Sequence, residues 1–403
     1  MTAATPATSG TRRSAPFQWP PALLPGLFIL AVTVFGAGIF DIGPIKLSRI
    51  ALYTQLILLF LYFGKAVIRQ HFGTAASFIL LFLYIIWSHL RFAALSDTVA
   101  NVNGLASFLP ILSFIIFCET DASLKSMLRV LAGISLVYCA IYVLGHGWLL
   151  AANKASAGGV LVAASGRSER LYLLAVWAAY AVYYAWCNRD AHWLMRGALA
   201  LFGLAAIWLS GSRMFQATFT IYAVLLMIGV TGFVVRWGTF AVFFLLSLVM
   251  LSGLIFQSFN PYSLMEWDTS AAYRMVEYAR GAETIRSHFL LGIGLPLDMD
   301  SLIGFLRTPR YDLYFASDLG ITSMLMMFGL PGLLLSVFFV YYCAAISGIH
   351  YQAREIKALQ MTGLMACAIA WFSPMFFIES AVIFLGLLIA LGVKSSRLKS
   401  GVE

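Results

Sequence analysis

The sequence has little charge and no polar segment long enough to form a soluble domain. Only 11% of the 403 residues are Asp, Glu, Lys or Arg, while 61% are hydrophobic. A soluble domain does not bury that much apolar surface. The composition therefore excludes a soluble globular protein and predicts an integral membrane protein.

Motifs for metals, nucleotides and serine hydrolysis are also missing. The five cysteines lie in or beside apolar runs, and none forms a CxxC pair, which is typical of small apolar core residues. There is no histidine–cysteine cluster, phosphate-binding glycine loop or GxSxG serine. Asp298 and Asp300 match a DxD metal site only weakly. The sequence predicts no metal, no cofactor and no nucleic-acid partner.

Apolar runs of about 17–25 residues, long enough to span a bilayer as helices, recur along the whole chain. We predict an all-α polytopic membrane protein with about twelve transmembrane helices. Their approximate limits are 22–40, 50–64, 74–92, 104–118, 130–151, 171–187, 197–211, 214–230, 238–256, 319–343, 361–375 and 376–393. Ser373 and Pro374 leave the last two as either two short helices or one kinked helix.

The distribution of lysine and arginine predicts the orientation. With the N-terminus inside, fourteen of them fall on the cytoplasmic side and seven in short outside loops. Both termini are then cytoplasmic. The predicted order is a cytoplasmic tail (1–21), transmembrane helices 1–9 (22–256), a long outside loop (257–318), helices 10–12 (319–393) and a second cytoplasmic tail (394–403).

The outside basic residues are mostly arginines, which bind phosphate or carboxylate through two parallel hydrogen bonds. Arg213 follows a predicted tight turn of Ser210, Gly211 and Ser212 at the outer start of a span. It is either an anion-binding residue or an interfacial arginine that extends to the membrane surface. Arg167 and Arg170 form a second outside pair.

The long loop contains a predicted helix with alternating charges. Its charged residues are Arg274, Glu277, Arg280, Glu283 and Arg286. They would form pairs three residues apart on a helix lying at the membrane surface. Arg274 and Arg286 would point roughly 120° apart, so the arginines do not all face one ligand, and we favour Arg274. His288 is either a proton carrier or an ordinary interfacial histidine.

Asp318 stands at the outer mouth of the tenth predicted span. On a continuous helix, Gly329 would lie about 20° from Asp318 and three turns deeper. Asp318 is either a helix N-cap or a carboxylate that takes a proton from a substrate hydroxyl.

These features resemble the O-antigen ligase and Wzy-type O-antigen polymerase family of bacterial inner membranes. The similarity covers most of the chain and includes its topology and three local signatures. The signatures are "SGSR" at 210–213, Arg274 followed by "GIG" at 292–294, and "DL" at 318–319 followed by "GLPG" at 329–332. The ligase histidine would fall at Asp318, and its absence favours a polymerase over a ligase.

The resemblance implies a GT-C-like helical fold and an inverting, metal-independent glycosyltransferase with a periplasmic loop. Its substrate would be an oligosaccharide on undecaprenyl pyrophosphate, in O-antigen or exopolysaccharide synthesis, with a chain-length regulator as a further partner. Asp318, Arg213 and Arg274 would be catalytic. The expected substrate-binding residues are Arg167, Arg170, Arg280, Arg286, His288 and Arg310. The alternatives are a ligase acting on lipid A core and a transporter or flippase of the same lipid.

Overall fold

The residues that the structure describes form a bundle of helices and one short β-hairpin. A computed structural model describes residues 21–37, 47–100, 105, 108–148, 162–165, 168–171, 175–229, 232–251, 278, 281–296, 302, 319–348, 354–371 and 381–400. The helices are α1 (Leu23–Ala37), α2 (Leu47–Ile68), α3 (Phe72–Ser96), a 3-10 helix (Leu109–Ser113) continuing into α4 (Phe114–Glu119), α5 (Leu124–Leu144), α6 (Ala175–Cys187), α7 (Trp193–Leu209), α8 (Arg213–Met227), α9 (Phe233–Leu251), α10 (Ile321–Ile346), α11 (Arg354–Ile369) and α12 (Ala381–Ser400).

Each of the twelve predicted apolar segments coincides with one of these helices, although the ends differ by several residues. Four helices, α2, α3, α5 and α10, are long and apolar enough to cross a membrane, and several shorter helices are also apolar. The fold is therefore consistent with an α-helical membrane protein. The last two predicted spans are two helices, α11 and α12.

Helix α6 lies at the centre of the bundle. It packs against α5, α7 and α11, and its large side chains Trp177, Tyr180, Tyr183 and Tyr184 are almost completely buried. A helix that is apolar on all sides is expected to be enclosed by its neighbours. Gly203 of α7 permits this close packing, since a Cβ atom there would lie 2.8 Å from Val182.

The hairpin was not predicted from the sequence. Strand β1 (Val162–Ser165) pairs antiparallel with β2 (Ser168–Leu171), and Ala163 lies opposite Arg170. It belongs to the segment between α5 and α6, which the predicted topology places outside.

One end of the bundle is held together by ion pairs, and we call it the ion-pair end. Asp121, between α4 and α5, contacts Lys65 at 2.6 Å and Arg69 at 2.5 Å. Hydrogen bonds from these two residues lower the pKa of Asp121 from 3.8 to about 2. Lys394 of α12 donates to the Thr120 carbonyl oxygen at 2.9 Å. All of these residues fall in segments that the sequence assigns to the cytoplasmic side.

A buried carboxylate joins α3 to α4 at the same end. Glu119 is fully buried, and its Oε2 lies 2.6 Å from Nδ1 of His71, which precedes α3. Removing one partner of a buried polar group costs the desolvation free energy of the other.

Substituting His71 by alanine should therefore lower the free energy of unfolding by about 1–3 kcal/mol. The measurement is SDS-induced unfolding in mixed micelles. His192 is a matched control because it also precedes a helix, α7, but is exposed, where its Nδ1 accepts from the Leu194 amide at 3.3 Å. His192→Ala should cost less than about 1 kcal/mol. Equal losses for the two variants would show that the His71–Glu119 pair adds no special stability.

Candidate functional site

Helix α10 is interrupted inside the bundle. Gly329 has φ 65° and ψ −154°, which are not helical values, and Pro331 follows two residues later. Proline removes one backbone donor and prevents a regular helix in the preceding turn. Backbone groups of residues 326–330 are therefore available to partners outside α10. In a membrane protein, non-helical backbone within the hydrocarbon region is tolerated where it is buried in protein or lines a water-filled cavity.

Those partners come from the end of the long loop between α9 and α10. Residues 281–288 are helical, residues 289–291 form a turn, and residues 292–296 pass beside the break in α10 without regular secondary structure. The amides of Ile293 and Gly294 each donate to α10, to the Met326 and Met327 carbonyl oxygens respectively, at 2.8 Å. In return, the Leu330 amide donates to the Phe289 carbonyl oxygen at 2.9 Å.

Helix α3 completes this junction from the other side. The Leu295 amide donates to the Ser88 carbonyl oxygen at 3.1 Å. The Tyr84 hydroxyl donates to the Phe328 carbonyl oxygen at 3.0 Å. Ser88 lies eight residues before the end of α3 at Ser96, roughly 12 Å along the helix axis, so the junction lies within the bundle rather than above it.

Three glycines make the contact possible, and we call the junction the glycine crossing. Gly292, Gly294 and Gly329 all have positive φ, at 67°, 95° and 65°. A Cβ atom on Gly294 would overlap the Ser88 carbonyl oxygen and lie 2.7 Å from the Phe92 nitrogen. A Cβ atom on Gly329 would lie 2.6 Å from the Gly292 nitrogen. Both the backbone conformation and the close approach therefore require glycine.

An arginine of α3 is fixed against the crossing. Nε of Arg91 donates to the Gly292 carbonyl oxygen at 2.8 Å, and its Cζ lies 5.8 Å from the centre of the Trp87 ring. Trp87 stacks on Tyr84, and Tyr84 stacks on Phe328, with ring centres 5.7 and 5.8 Å apart. This row of stacked rings connects the half-buried guanidinium of Arg91 to the break in α10.

The structure places two predicted residues beside the crossing. His288 ends the helix that leads into it, and its carbonyl oxygen accepts from the Gly292 amide at 2.7 Å. Its half-buried ring has Nδ1 2.9 Å from Ser287 Oγ. Arg286 is exposed on the same helix. Both residues therefore lie on the helix that leads into the crossing.

Two other predicted residues are described through their backbone. Arg213 is the first residue of α8, directly after the turn at 210–212, in which Gly211 has φ 62°. The predicted tight turn is confirmed. Arg170 lies on strand β2. The remaining predicted site residues, Asp318, Arg274, Arg167, Arg280 and Arg310, lie outside the described residues.

The predicted relation between Asp318 and Gly329 is wrong. Helix α10 begins at Ile321, its N-cap is Gly320 with φ 48°, and the helix breaks at Gly329. No continuous helix joins positions 318 and 329, so their spacing defines no common face. Asp318 itself lies outside the described residues, and the N-cap position of α10 is Gly320.

Arg91 is one of the seven basic residues assigned to short outside loops, and neither Arg91 nor Tyr84 was predicted to belong to a site. Their spacing was the available signal, since Tyr84, Ser88 and Arg91 recur at four and three residues along one helix face. That pattern places a hydroxyl, a backbone contact and a cation in one row.

Comparison with known proteins does not assign a family. No protein-family model matches the chain, and no curated protein matches it either.

Proposed function

We propose that the protein polymerises oligosaccharide repeat units carried on undecaprenyl pyrophosphate at the periplasmic face of a bacterial inner membrane. One observation carries the proposal. Parts of two of the three signatures behind the family resemblance, "GIG" at 292–294 and "GLPG" at 329–332, are far apart in the sequence but meet in the glycine crossing. The amides of Ile293 and Gly294 donate to the carbonyl oxygens of Met326 and Met327, just before "GLPG", and the Leu330 amide donates to the carbonyl oxygen of Phe289, just before "GIG". A shared site gives both signatures a common purpose.

The proposed topology places the crossing on the outer side. All twelve helices cross the membrane in this proposal, in a GT-C-like arrangement, and the ion-pair end faces the cytoplasm together with both termini. The crossing, the turn before Arg213 and the hairpin with Arg170 then face the periplasm. Substrate would reach the site from the outer leaflet after the lipid-linked unit has been flipped.

In the proposed reaction, a hydroxyl of the acceptor sugar attacks the anomeric carbon of the donor sugar. Asp318 accepts the hydroxyl proton, the new glycosidic bond forms, and the bond to undecaprenyl pyrophosphate breaks with inversion. Arg213 and Arg274 stabilise the charge on the leaving pyrophosphate, assisted by Arg167 or Arg170. Arg280, Arg286, His288 and Arg310 bind the rest of the substrate.

An in vitro reaction tests this proposal. The protein is placed in nanodiscs with undecaprenyl-pyrophosphate repeat units from the host strain, with and without EDTA, and the products are separated by size. We expect a ladder of lengths that survives EDTA. Asp318→Asn should lower polymer formation at least about 100-fold, because general base catalysis contributes roughly that much.

Asp97→Asn is the matched control, because Asp97 ends α3 in the left-handed conformation, which asparagine also adopts. It should leave the ladder unchanged. A full ladder of products from the Asp318→Asn variant would show that Asp318 is not the catalytic base.

The break in α10 also favours a second function, because transporters build their substrate sites from discontinuous helices. Uptake of the lipid-linked sugar into liposomes without any polymer would identify a transporter or flippase. Transfer to an added lipid A core acceptor would identify a ligase.

A further inference from the structure

A cavity of about 450 Å³ lies between α3, α10 and α12, on the inner side of the glycine crossing. Its walls are almost entirely apolar and include Leu80, Leu81, Tyr84, Leu335, Phe338 and Tyr342. The volume is in the range of cavities that bind small ligands. An apolar wall of this kind accepts a hydrocarbon and provides few partners for a polar molecule.

The cavity is a groove open to the side of the bundle. Leu80 and Phe338 on its rim are 69% and 56% exposed. In a membrane protein, large apolar side chains exposed on the outside of helices contact lipid. The α3 wall runs from Ser77 to Tyr84, which is about 10 Å along the helix axis. A single lipid chain is therefore able to enter the groove from the bilayer.

The same face of α3 leads from the groove to Arg91. Ser77, Leu81, Tyr84, Ser88 and Arg91 follow each other at spacings of four and three residues. Helical side chains lean towards the N-terminus of their helix, so the Arg91 side chain leans towards Trp87 and the groove. Arg91 follows Tyr84 by about 10 Å along the axis of α3, so a cation lies on the outer side of the apolar groove.

Arg91 is oriented, and it has no ion-pair partner among the residues that the structure describes. Its Nε bond to Gly292 and its contact with Trp87 hold the guanidinium plane, and no described residue accepts a hydrogen bond from its two terminal nitrogens. Two terminal nitrogens in a fixed plane match two oxygens of a phosphate group. The arrangement therefore combines an anion-binding group with a hydrocarbon-binding groove.

We propose that Arg91 and this groove bind one polyprenyl diphosphate lipid. The terminal nitrogens of Arg91 donate to phosphate oxygens, and the first part of the isoprenoid chain lies in the groove beneath Tyr84. This inference deepens the proposed function and depends on it for the identity of the lipid. It adds Arg91 as a substrate-binding residue and assigns the chain to the space between α3, α10 and α12.

Binding measurements on the full-length protein in nanodiscs test the inference without requiring polymerisation. Native mass spectrometry follows titrations with undecaprenyl diphosphate and with undecaprenol, and with inorganic diphosphate as a competitor. Arg91→Gln should weaken binding of the diphosphate lipid at least tenfold and leave undecaprenol binding unchanged. Leu81→Trp fills the groove and should weaken binding of both lipids. Arg49→Gln, an exposed arginine near the start of α2, should change neither.

The outcomes separate this inference from the proposed function. Unchanged diphosphate-lipid binding in Arg91→Gln, or in Leu81→Trp, would overturn the inference even if the protein makes polymer. Competition by inorganic diphosphate as effective as that of the lipid would show a simple anion site and also overturn it. Selective loss of the diphosphate lipid supports it even if no polymer forms. Arg91→Lys, which keeps the charge but not the bond from Nε, should show an intermediate loss, and it replaces Arg91→Gln if that variant does not purify as monodisperse protein.

Discussion

Alanine at Gly294 is expected to abolish the proposed activity and to destabilise the protein by about 2–6 kcal/mol. A Cβ atom there overlaps the Ser88 carbonyl oxygen, and φ is 95°, where alanine is strained. A strained backbone and an overpacked contact each cost about 1–3 kcal/mol. The crossing can accept the methyl group only by losing the hydrogen bonds that join the loop to α3 and α10. SDS-induced unfolding and the polymer assay measure the two effects.

Gly133→Ala is the control for that prediction. Gly133 lies inside α5, has ordinary helical φ, and no atom lies within 4 Å of a Cβ built there. Alanine is a better helix former than glycine, so this variant should be as stable as the parent or more stable by up to about 1 kcal/mol. If Gly294→Ala matched Gly133→Ala in stability and in polymer formation, the glycine crossing would not be needed to hold the loop in the active protein.

Lysine at Arg213 is expected to lower polymer formation about 100-fold or more while leaving the fold intact. Lysine keeps the charge but cannot donate two parallel hydrogen bonds to a pyrophosphate. Loss of one donor that stabilises developing charge typically costs 100–1000-fold in rate. Because Arg213 is the first residue of α8, after a turn that is already complete at Ser212, the substitution should not disturb the helix. Initial rates of polymer formation in nanodiscs measure the effect.

Arg49→Lys is its matched control, since Arg49 also lies near the start of a helix on the side predicted to be outer. It should retain the parent rate. A parent-like rate in Arg213→Lys, with normal insertion, would instead favour the alternative of an interfacial arginine at this position.

The sequence predicted those parts of the structure that depend on local pattern. Apolar run length located the twelve helices, and the Ser-Gly-Ser sequence predicted the turn before Arg213. These features arise from solvation and backbone preference within a few residues, so a single sequence contains the required information. Helix ends were less accurate because polar ends such as Lys394–Ser400 continue the helix beyond the apolar run.

The glycine crossing could not be predicted, because it depends on contacts between segments far apart in the chain. The sequence placed Gly329 on a helix that continues from Asp318, whereas Gly329 breaks α10. A glycine two residues before a proline was the local signal of that break. Nothing local to Gly292 and Gly294 indicates that they pair with residues 326–330. The predicted role of Asp318 remains a prediction, since only its spacing to Gly329 is tested.

The crossing also constrains the order in which the molecule is assembled. Its bonds join Arg91 to Gly292 and Tyr84 to Phe328, pairs that are 201 and 244 residues apart in the chain. During synthesis, residues 289–294 of the loop cannot form their hydrogen bonds to α10 until α10 has been translated. The site is therefore completed only after most of the chain has been translated, and a truncated product ending before α10 would carry the arginines of the loop without the framework that positions them.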